Sequence, residues 1–373
     1  MRILIAGGGT GGHLYPGIAL ARELQRRDPS VQVSFVGTAQ GIEARVVPRE
    51  GFELDLIRVA GLKGKGRAER LRGLLLLSTA AADAWRVLSR RRPDVVIGVG
   101  GFASGPVLAL AAVRGYPTML LEQNAVPGVT NRLLARLVRA AAVNFEDSLS
   151  YFPRTGFVAG NPVRPEFFPA QTEEANDRTN QPFDVAQGKP HDAARVLIFG
   201  GSQGAHAINV AMVEAASRLA ATGLELAITH QTGERDLDLV RTAYGRAGLA
   251  ARVEAFIDQI DGAMKAADLV ICRAGATTLA ELTASGRPAV LVPLPTATDD
   301  HQRKNAEVLG RAGAAVVLEE RELDGPRLAA AIAGLIGDPA KRQQMSAAAR
   351  RLARPDAAAR IADRVEQLGR GKK

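Results

Sequence analysis

A single cysteine, Cys272, stands in 373 residues, so a disulfide framework is excluded and a reducing compartment suits the chain. Aromatic residues make up only 4%, too few for the stacking platforms that hold single-stranded nucleic acid. No run of about 18 apolar residues occurs, so no membrane-spanning helix is expected. The apolar run Arg2–Ala6 gives way at once to glycines and reads as a buried strand, not a signal peptide. An acidic excess is also missing. Lys and Arg number 48 against 39 Asp and Glu, a formal net charge of +9. Such a surplus calls for an anionic partner, and with stacking residues scarce it points to phosphorylated substrates or a membrane surface rather than nucleic acid. Hydrophobic residues at 46% and charged residues at 23% describe a globular protein, and the length suits two domains.

What is present is one pattern written twice. Arg2–Ala6, then Gly7-Gly8-Gly9-Thr10-Gly11-Gly12, leads into a helical periodicity at Ile18–Arg26. Arg195–Phe199, then Gly200-Gly201-Ser202-Gln203-Gly204-Ala205, leads into another at Ile208–Leu219. Further strands are expected at Val31–Val36, Val95–Val99, Thr118–Leu121, Ala141–Asn144 and Phe157–Ala159 in the first half. In the second they are expected at Glu225–Thr229, Val253–Phe256, Leu269–Cys272, Ala289–Val292 and Ala315–Leu318. Strands alternating with helices predict parallel sheets covered on both faces. The class is α/β: two Rossmann-like, doubly wound domains, residues 1–164 and 165–352, facing a cleft. Phe168–Ala194 is polar and Pro-containing and reads as a surface insertion, with a hinge just before it at Gly160–Arg164. A last helical stretch follows Pro355.

Ligands in open α/β sheets bind beyond the carboxyl ends of the strands, where glycine lets the backbone meet a phosphate and a helix N-terminus offers free N–H groups. Both glycine turns occupy such places. Gly7, Gly9 and Gly12 spell the dinucleotide fingerprint, but that fingerprint needs an acid at the end of the second strand. Here that strand ends Phe35-Val36-Gly37-Thr38, which argues against a dinucleotide. Gly200-x-Ser202-x-Gly204 spells a hydrolase nucleophile elbow, with Asp258 or Asp268 and His301 as its partners. That reading leaves the first turn unused and makes the elbow strand open a domain rather than lie within one.

A third turn, Arg273-Ala274-Gly275, opens a helix that carries Glu281 one turn in. A carboxylate there can accept from both hydroxyls of a ribose while the turn faces a diphosphate; the plainer alternative is a capping box of Thr278 with Glu281. The polar stretch Pro293–Ala306 carries His301, Gln302 and Asn305, suited to a sugar's hydroxyls or simply solvated. Asp236-x-Asp238 spells a metal-binding pair, yet sits where a helix starts and reads as surface.

Taken together, GGGTGGHLYPG, GLKGKG, PDVVIGVGGFASGP and LLEQNAVPG in the first half, with GNPVR, GGSQGA, FIDQI, CRAGATTLAE and HQRKNA in the second, resemble the bacterial MurG family. The motifs run in order over nearly the whole chain. The resemblance implies a glycosyltransferase-B architecture in which the final helix, 353–373, packs back on the first domain. It implies inverting transfer of N-acetylglucosamine from UDP-N-acetylglucosamine to the 4-hydroxyl of undecaprenyl-pyrophosphoryl-N-acetylmuramoyl pentapeptide, with no cofactor and no metal. It further implies donor contacts from Thr10, Gly11, Gly12, Asn124, Arg164, Ser202, Ile257, Ala276, Thr277, Thr278, Leu279, Ala280, Glu281 and Gln302. In that scheme Ser202 and Arg164 meet the diphosphate, the Ile257 backbone the uracil, Glu281 the ribose, and Gln302 and Asn124 the sugar. The family commonly reads His-Glu-Gln-Asn where this chain has Leu121-Glu122-Gln123-Asn124, so no role for that histidine carries over. Another acceptor on the same architecture, or a nucleotide-binding module without turnover, are the alternatives.

An in-line displacement wants a base for the attacking hydroxyl. His13, just past the first turn, is the first candidate and Glu122 the second. A lipid-linked acceptor places the enzyme at the cytoplasmic face of the inner membrane as a peripheral protein on anionic lipids. Residues 63–92 hold nine basic residues (Lys63, Lys65, Arg67, Arg70, Arg72, Arg86, Arg90, Arg91 and Arg92) against Glu69 and Asp83, around Leu71, Leu74–Leu77 and Trp85. Such a stretch suits an anionic surface, while Leu71, Leu75 and Leu88 at helical spacing equally suit a core.

Overall fold

The computed structural model describes residues 1–59, 67–169, 193–201 and 204–371, with side chains described from Ser78 onward in the helix that begins at Arg67. The chain forms two compact units, Met1–Val163 with Arg354–Lys373, and Arg164–Ala353.

In the first unit the chain runs β1 (Arg2–Gly7), α1 (Gly11–Arg27), β2 (Gln32–Gly37), α2 (Glu43–Arg49), β3 (Glu53–Leu56), α3 (Arg67–Arg91), β4 (Val95–Gly100), α4 (Ser104–Val113), β5 (Thr118–Glu122), α5 (Val129–Leu134), β6 (Ala140–Val143) and β7 (Gly156–Val158). All pairings are parallel, in the order β3-β2-β1-β4-β5-β6-β7. Residues alternate between faces, as strand geometry requires. Ile3 and Ile5 join Leu14, Ile18, Phe35 and Ile97 on one side; Leu4 and Ala6 join Leu88, Val107, Leu108 and Leu120 on the other. Strand β4 is buried along all six residues, which explains why it reads as an unbroken apolar run.

The second unit runs β8 (Ala194–Phe199), α6 (His206–Ala220), β9 (Leu226–Gln231), α7 (Leu237–Ala247), β10 (Ala250–Glu254), α8 (Ile260–Ala266), β11 (Leu269–Cys272), α9 (Ala276–Ser285), β12 (Ala289–Leu291), α10 (His301–Arg311), β13 (Ala315–Val317), α11 (Gly325–Ile336) and α12 (Pro339–Leu352). Its sheet is again parallel, ordered β10-β9-β8-β11-β12-β13. The last helix, α13 (Ala357–Arg370), belongs to the first unit. There Ile361, Ala362, Val365 and Leu368 enter the core beside α1, and Arg27 bonds to Asp363 at 2.6 Å and to the Ala359 carbonyl at 2.9 Å.

Three expectations need correction. Strand β3 has no apolar run to announce it; its Asp55 is 7% exposed and is paired with Arg90 and Arg91. Strand β10 begins three residues earlier than Val253, because Ala250–Arg252 lie exposed at a sheet edge and give no hydrophobic signal. Asp236 is not a surface residue. It is 5% exposed and accepts from Asn209 Nδ2 at 2.8 Å with His206 Nδ1 at 2.9 Å, so only Asp238 of that pair faces solvent.

Candidate active site

Each sheet reverses its winding at one place, between β1 and β4 in the first unit and between β8 and β11 in the second. Such a switch point opens a crevice at the carboxyl ends of the two strands. In the second unit the two strands pair Phe199 with Cys272, so the turn after β8 and the turn after β11 leave the sheet side by side. Gly201 and Gly204 both take positive φ. A side chain at Gly204 would place its Cβ 1.9 Å from the Thr232 carbonyl, so no larger residue lets this turn pack so low against the β9 end. Ser202 and Gln203 lie outside the described residues.

Behind that turn sits Gln231, 4% exposed, which the sequence reading passed over. Its Nε2 donates to the Gly201 carbonyl at 2.7 Å, and its Oε1 accepts from the Ile257 N–H at 2.9 Å. One side chain thus clasps the glycine turn and the loop that carries Ile257. Of the two backbone groups of Ile257, the N–H is therefore committed. A further polar group lies under α6. His230 Nδ1 meets Tyr244 Oη at 2.8 Å and His230 Nε2 meets Asn209 Oδ1 at 3.0 Å. Burial pushes the His230 pKa down to about 3, so it is a neutral structural histidine.

The turn after β11 delivers the N-terminus of α9, capped by Gly275 with no side-chain bond. The capping box is thus absent: Thr278 stands inside the helix. Thr277 and Thr278 are partly open, whereas Ala276 is 8% and Leu279 1% exposed. Leu279 is a core residue and its N–H donates to Gly275 O at 2.9 Å, so it offers a ligand little. Glu281 is crowded by its surroundings, and this desolvation lifts its pKa to about 7 against the opposing pull of the Arg164 charge. Arg164 itself is exposed, with its guanidinium 5.0 Å from the Phe167 ring.

Gln302 Oε1 accepts from the Ala274 N–H at 3.2 Å and the Leu294 N–H at 3.0 Å. Its acceptor holds the turn together, and what remains for a sugar is the amide NH2. Asn305, against expectation, is fully buried and donates to the Ala274 carbonyl at 3.3 Å. Asp299 and Asp300 both sit at φ 55°, strained for residues with side chains and of the kind found at ligand clamps. The hydrolase elbow finds no support. His301 Nδ1 lies 2.6 Å from the Thr298 carbonyl, and Asp268 accepts from the Arg195 N–H at 2.8 Å.

In the first unit, Thr10 is the N-cap of α1, and Gly11, Gly12 and His13 form its first turn, partly open to solvent. The His13 ring rests on Gly100, where a Cβ would come within 2.5 Å of Nδ1. The turn Gly7–Gly9 does not present an open amide cradle. The Gly9 N–H donates to Glu43 at 2.7 Å. Glu122, the second base candidate, is 3% exposed. It accepts from Asn124 N at 3.0 Å, Asn124 Nδ2 at 3.2 Å and Asn131 Nδ2 at 2.7 Å. Burial raises its pKa and these bonds pull it back. Its geometry is that of a brace for the loop bearing Asn124, not of a group waiting for a proton.

Among the described residues no cluster of three or more His, Cys, Asp or Glu could hold a metal ion, and no helix is long and apolar enough to cross a membrane. Part of the basic stretch is neutralised in place: Arg90 and Arg91 pair with Asp55, Arg91 also with Glu53, and Arg86 with Asp83 at 2.9 Å. Trp85 is 53% exposed, with the Arg114 guanidinium 4.1 Å from its ring centroid. Lys63 and Lys65 lie outside the described residues, as do the side chains of Arg67, Arg70 and Arg72.

Residues 3–143 match the glycosyltransferase family 28 N-terminal domain and residues 195–361 its C-terminal domain. A relative from Anaeromyxobacter dehalogenans is 49% identical over 99% of this chain and 94% of its own. It is named UDP-N-acetylglucosamine–N-acetylmuramyl-(pentapeptide) pyrophosphoryl-undecaprenol N-acetylglucosamine transferase. The crystal structure of MurG from Acinetobacter baumannii superposes with a TM-score of 0.79 at 30% identity, covering 98% of this chain and 99% of that one. UDP-GlcNAc 2-epimerase from Neisseria meningitidis, bound to UDP-GlcNAc, shares the fold at a TM-score of 0.69 and 14% identity, covering 98% of this chain and 100% of its own.

Proposed function

The chain belongs to the MurG family of family 28 glycosyltransferases, and from that premise we propose how its own residues perform the transfer. The enzyme moves N-acetylglucosamine from UDP-N-acetylglucosamine to the lipid-linked N-acetylmuramoyl pentapeptide of peptidoglycan synthesis. The observation that carries the residue-level reading is the pairing of β8 with β11 at the switch point of the second unit, which sets two helix N-termini beside one another.

The diphosphate of the donor lies at those N-termini, where backbone N–H groups and the helix dipoles favour negative charge. Ser202 and the backbone of Ala276–Thr278 donate to it, and Arg164 adds a fixed cation. The uracil reaches the Ile257 carbonyl with its N3–H, since the Ile257 N–H is held by Gln231. Glu281 accepts from the ribose hydroxyls. The Gln302 NH2 donates to a hydroxyl of N-acetylglucosamine, and Asn124, with Thr10, Gly11 and Gly12, completes the sugar's surroundings. In the reaction the acceptor's 4-hydroxyl oxygen bonds to the anomeric carbon as the bond to the β-phosphate oxygen breaks. The electron pair leaves on UDP, and the hydroxyl proton passes to the imidazole of His13. Configuration inverts.

The charge developing on UDP is met by the two helix ends and Arg164, an arrangement that works without a metal, and activity is expected to persist in excess chelator. His13→Ala should lower kcat by about 10²–10⁴-fold, the range for a lost base; an unchanged kcat removes His13 from that role. The protein works at an anionic lipid surface on the cytoplasmic face. A radiolabelled transfer assay with UDP-N-acetylglucosamine and a short-chain lipid acceptor tests the reading as a whole. Donor binding without release of UDP would reduce the chain to a binding module.

A further inference from the structure

The GxGxxG pattern after β1 is a phosphate seat in dinucleotide-binding sheets, yet here another anion fills it. Glu43, the first residue of α2, is 1% exposed. Its Oε2 accepts from the Gly9 N–H at 2.7 Å. Its Oε1 accepts from the Thr38 N–H at 2.8 Å and the Thr38 hydroxyl at 3.0 Å. Three glycines make the room. A Cβ on Gly8 would stand 2.5 Å from Oε2, one on Gly37 2.3 Å from Cγ, and one on Gly41 2.0 Å from Oε2. A buried carboxylate is costly unless donors converge on it, and here the glycine turn supplies one donor, as it would to a phosphate, while Thr38 supplies the other two. The missing acid at the end of β2 and this buried acid are one arrangement. Thr38, standing where a ribose-binding acid would, donates instead to Glu43.

We propose that Glu43 is the built-in anion of the first glycine turn, a positioning residue that fixes Gly9–Thr10 and hence the first turn of α1 that carries His13. The link runs through the backbone, since the His13 N–H donates to the Thr10 carbonyl at 3.2 Å. The proposal deepens the reading above and rests on His13 acting at the reacting hydroxyl.

The test uses full-length Glu43→Ala with saturating UDP-N-acetylglucosamine and lipid acceptor, with formate added and chloride matching the ionic strength in the control. A displaced base should cost about 10²-fold in kcat, with a smaller rise in KM for UDP-N-acetylglucosamine, since Thr10, Gly11 and Gly12 on the same turn also border the donor sugar. Formate, which fits the vacated space, should restore kcat saturably while chloride does not. A folded Glu43→Ala with wild-type kcat, or a loss that formate leaves in place, overturns the proposal. Should Glu43→Ala not fold, Glu43→Gln decides. It keeps the shape but turns an NH2 toward a donor, so kcat should fall by more than donor KM rises, and wild-type kcat would refute the need for an anion. His13→Ala assayed in parallel separates the two ideas. Full turnover there, with a formate-rescued loss in Glu43→Ala, removes the base assignment and with it the positioning of His13, and leaves Glu43 only as the anion that holds Gly9–Thr10; the opposite pattern removes the anion alone.

Discussion

Glu281 meets opposed demands. Its crowding lifts the pKa from 4.5 to about 7, while a ribose is best held by the ionised carboxylate. An acid whose pKa rises on folding contributes stability below its unfolded value, and that contribution is lost as pH climbs through the folded value. Wild-type protein without donor should therefore lose stability between pH 4.5 and about 7 relative to Glu281→Gln. At pH 8 the variant should melt higher, by about 2–4 °C for each kcal/mol of relieved burial, in a calorimetric comparison. Its KM for UDP-N-acetylglucosamine should rise by about 10- to 100-fold, the worth of a charged hydrogen bond. The wild-type gain in donor affinity from pH 6 to 8 should vanish in the variant. A Glu281→Gln enzyme with unchanged KM would remove the ribose contact.

At the scale of elements, Gln231 is the point on which two loops of the donor side depend. Gln231→Leu leaves the Gly201 carbonyl and the Ile257 N–H without this partner, at about 1–3 kcal/mol for each buried group left unsatisfied. Donor KM should rise by about 10-fold or more with kcat little altered, measured at saturating acceptor; a fall in kcat alone would contradict the clasp. Nothing in the sequence marks Gln231, because a buried glutamine between a strand and a loop has no spacing signature. The same holds for Glu43, whose partners Gly9 and Thr38 are remote from it or belong to a different motif. What was legible had a period or a punctuation mark. The unbroken apolar run of β4, the glycines after β1 and β8, and Glu281 one turn into α9 could all be read directly. Strand β3 could not, since its Asp55 is buried by arginines from α3, a tertiary pairing that no local pattern records. Asn305 was misread for a related reason: polarity in a sequence does not say whether the partner is a ligand or the chain's own backbone.

For the whole molecule, the surplus of charge has to be located before it can be assigned a role. Arg90 and Arg91 are bound to Asp55, which is 7% exposed, so they brace β3 against α3 and leave little field for a lipid surface. The remaining surplus of that stretch falls on Lys63, Lys65, Arg67, Arg70, Arg72 and Arg92. Each basic residue near anionic lipid is worth about 1 kcal/mol, so reversing Arg67, Arg70 and Arg72 to Glu should weaken binding to phosphatidylglycerol-containing vesicles by about 100-fold or more. KM for UDP-N-acetylglucosamine with a short-chain acceptor should not change, because none of these three arginines is among the proposed donor contacts. Arg90→Ala with Arg91→Ala should do the reverse, lowering the melting temperature by uncovering Asp55 while vesicle binding persists. Co-sedimentation at two salt concentrations reads both variants, since an electrostatic contact weakens as salt screens it. Vesicle binding that survives the triple reversal would move the lipid contact away from this stretch, leaving exposed apolar side chains such as Trp85, Leu133 and Leu137 to account for it.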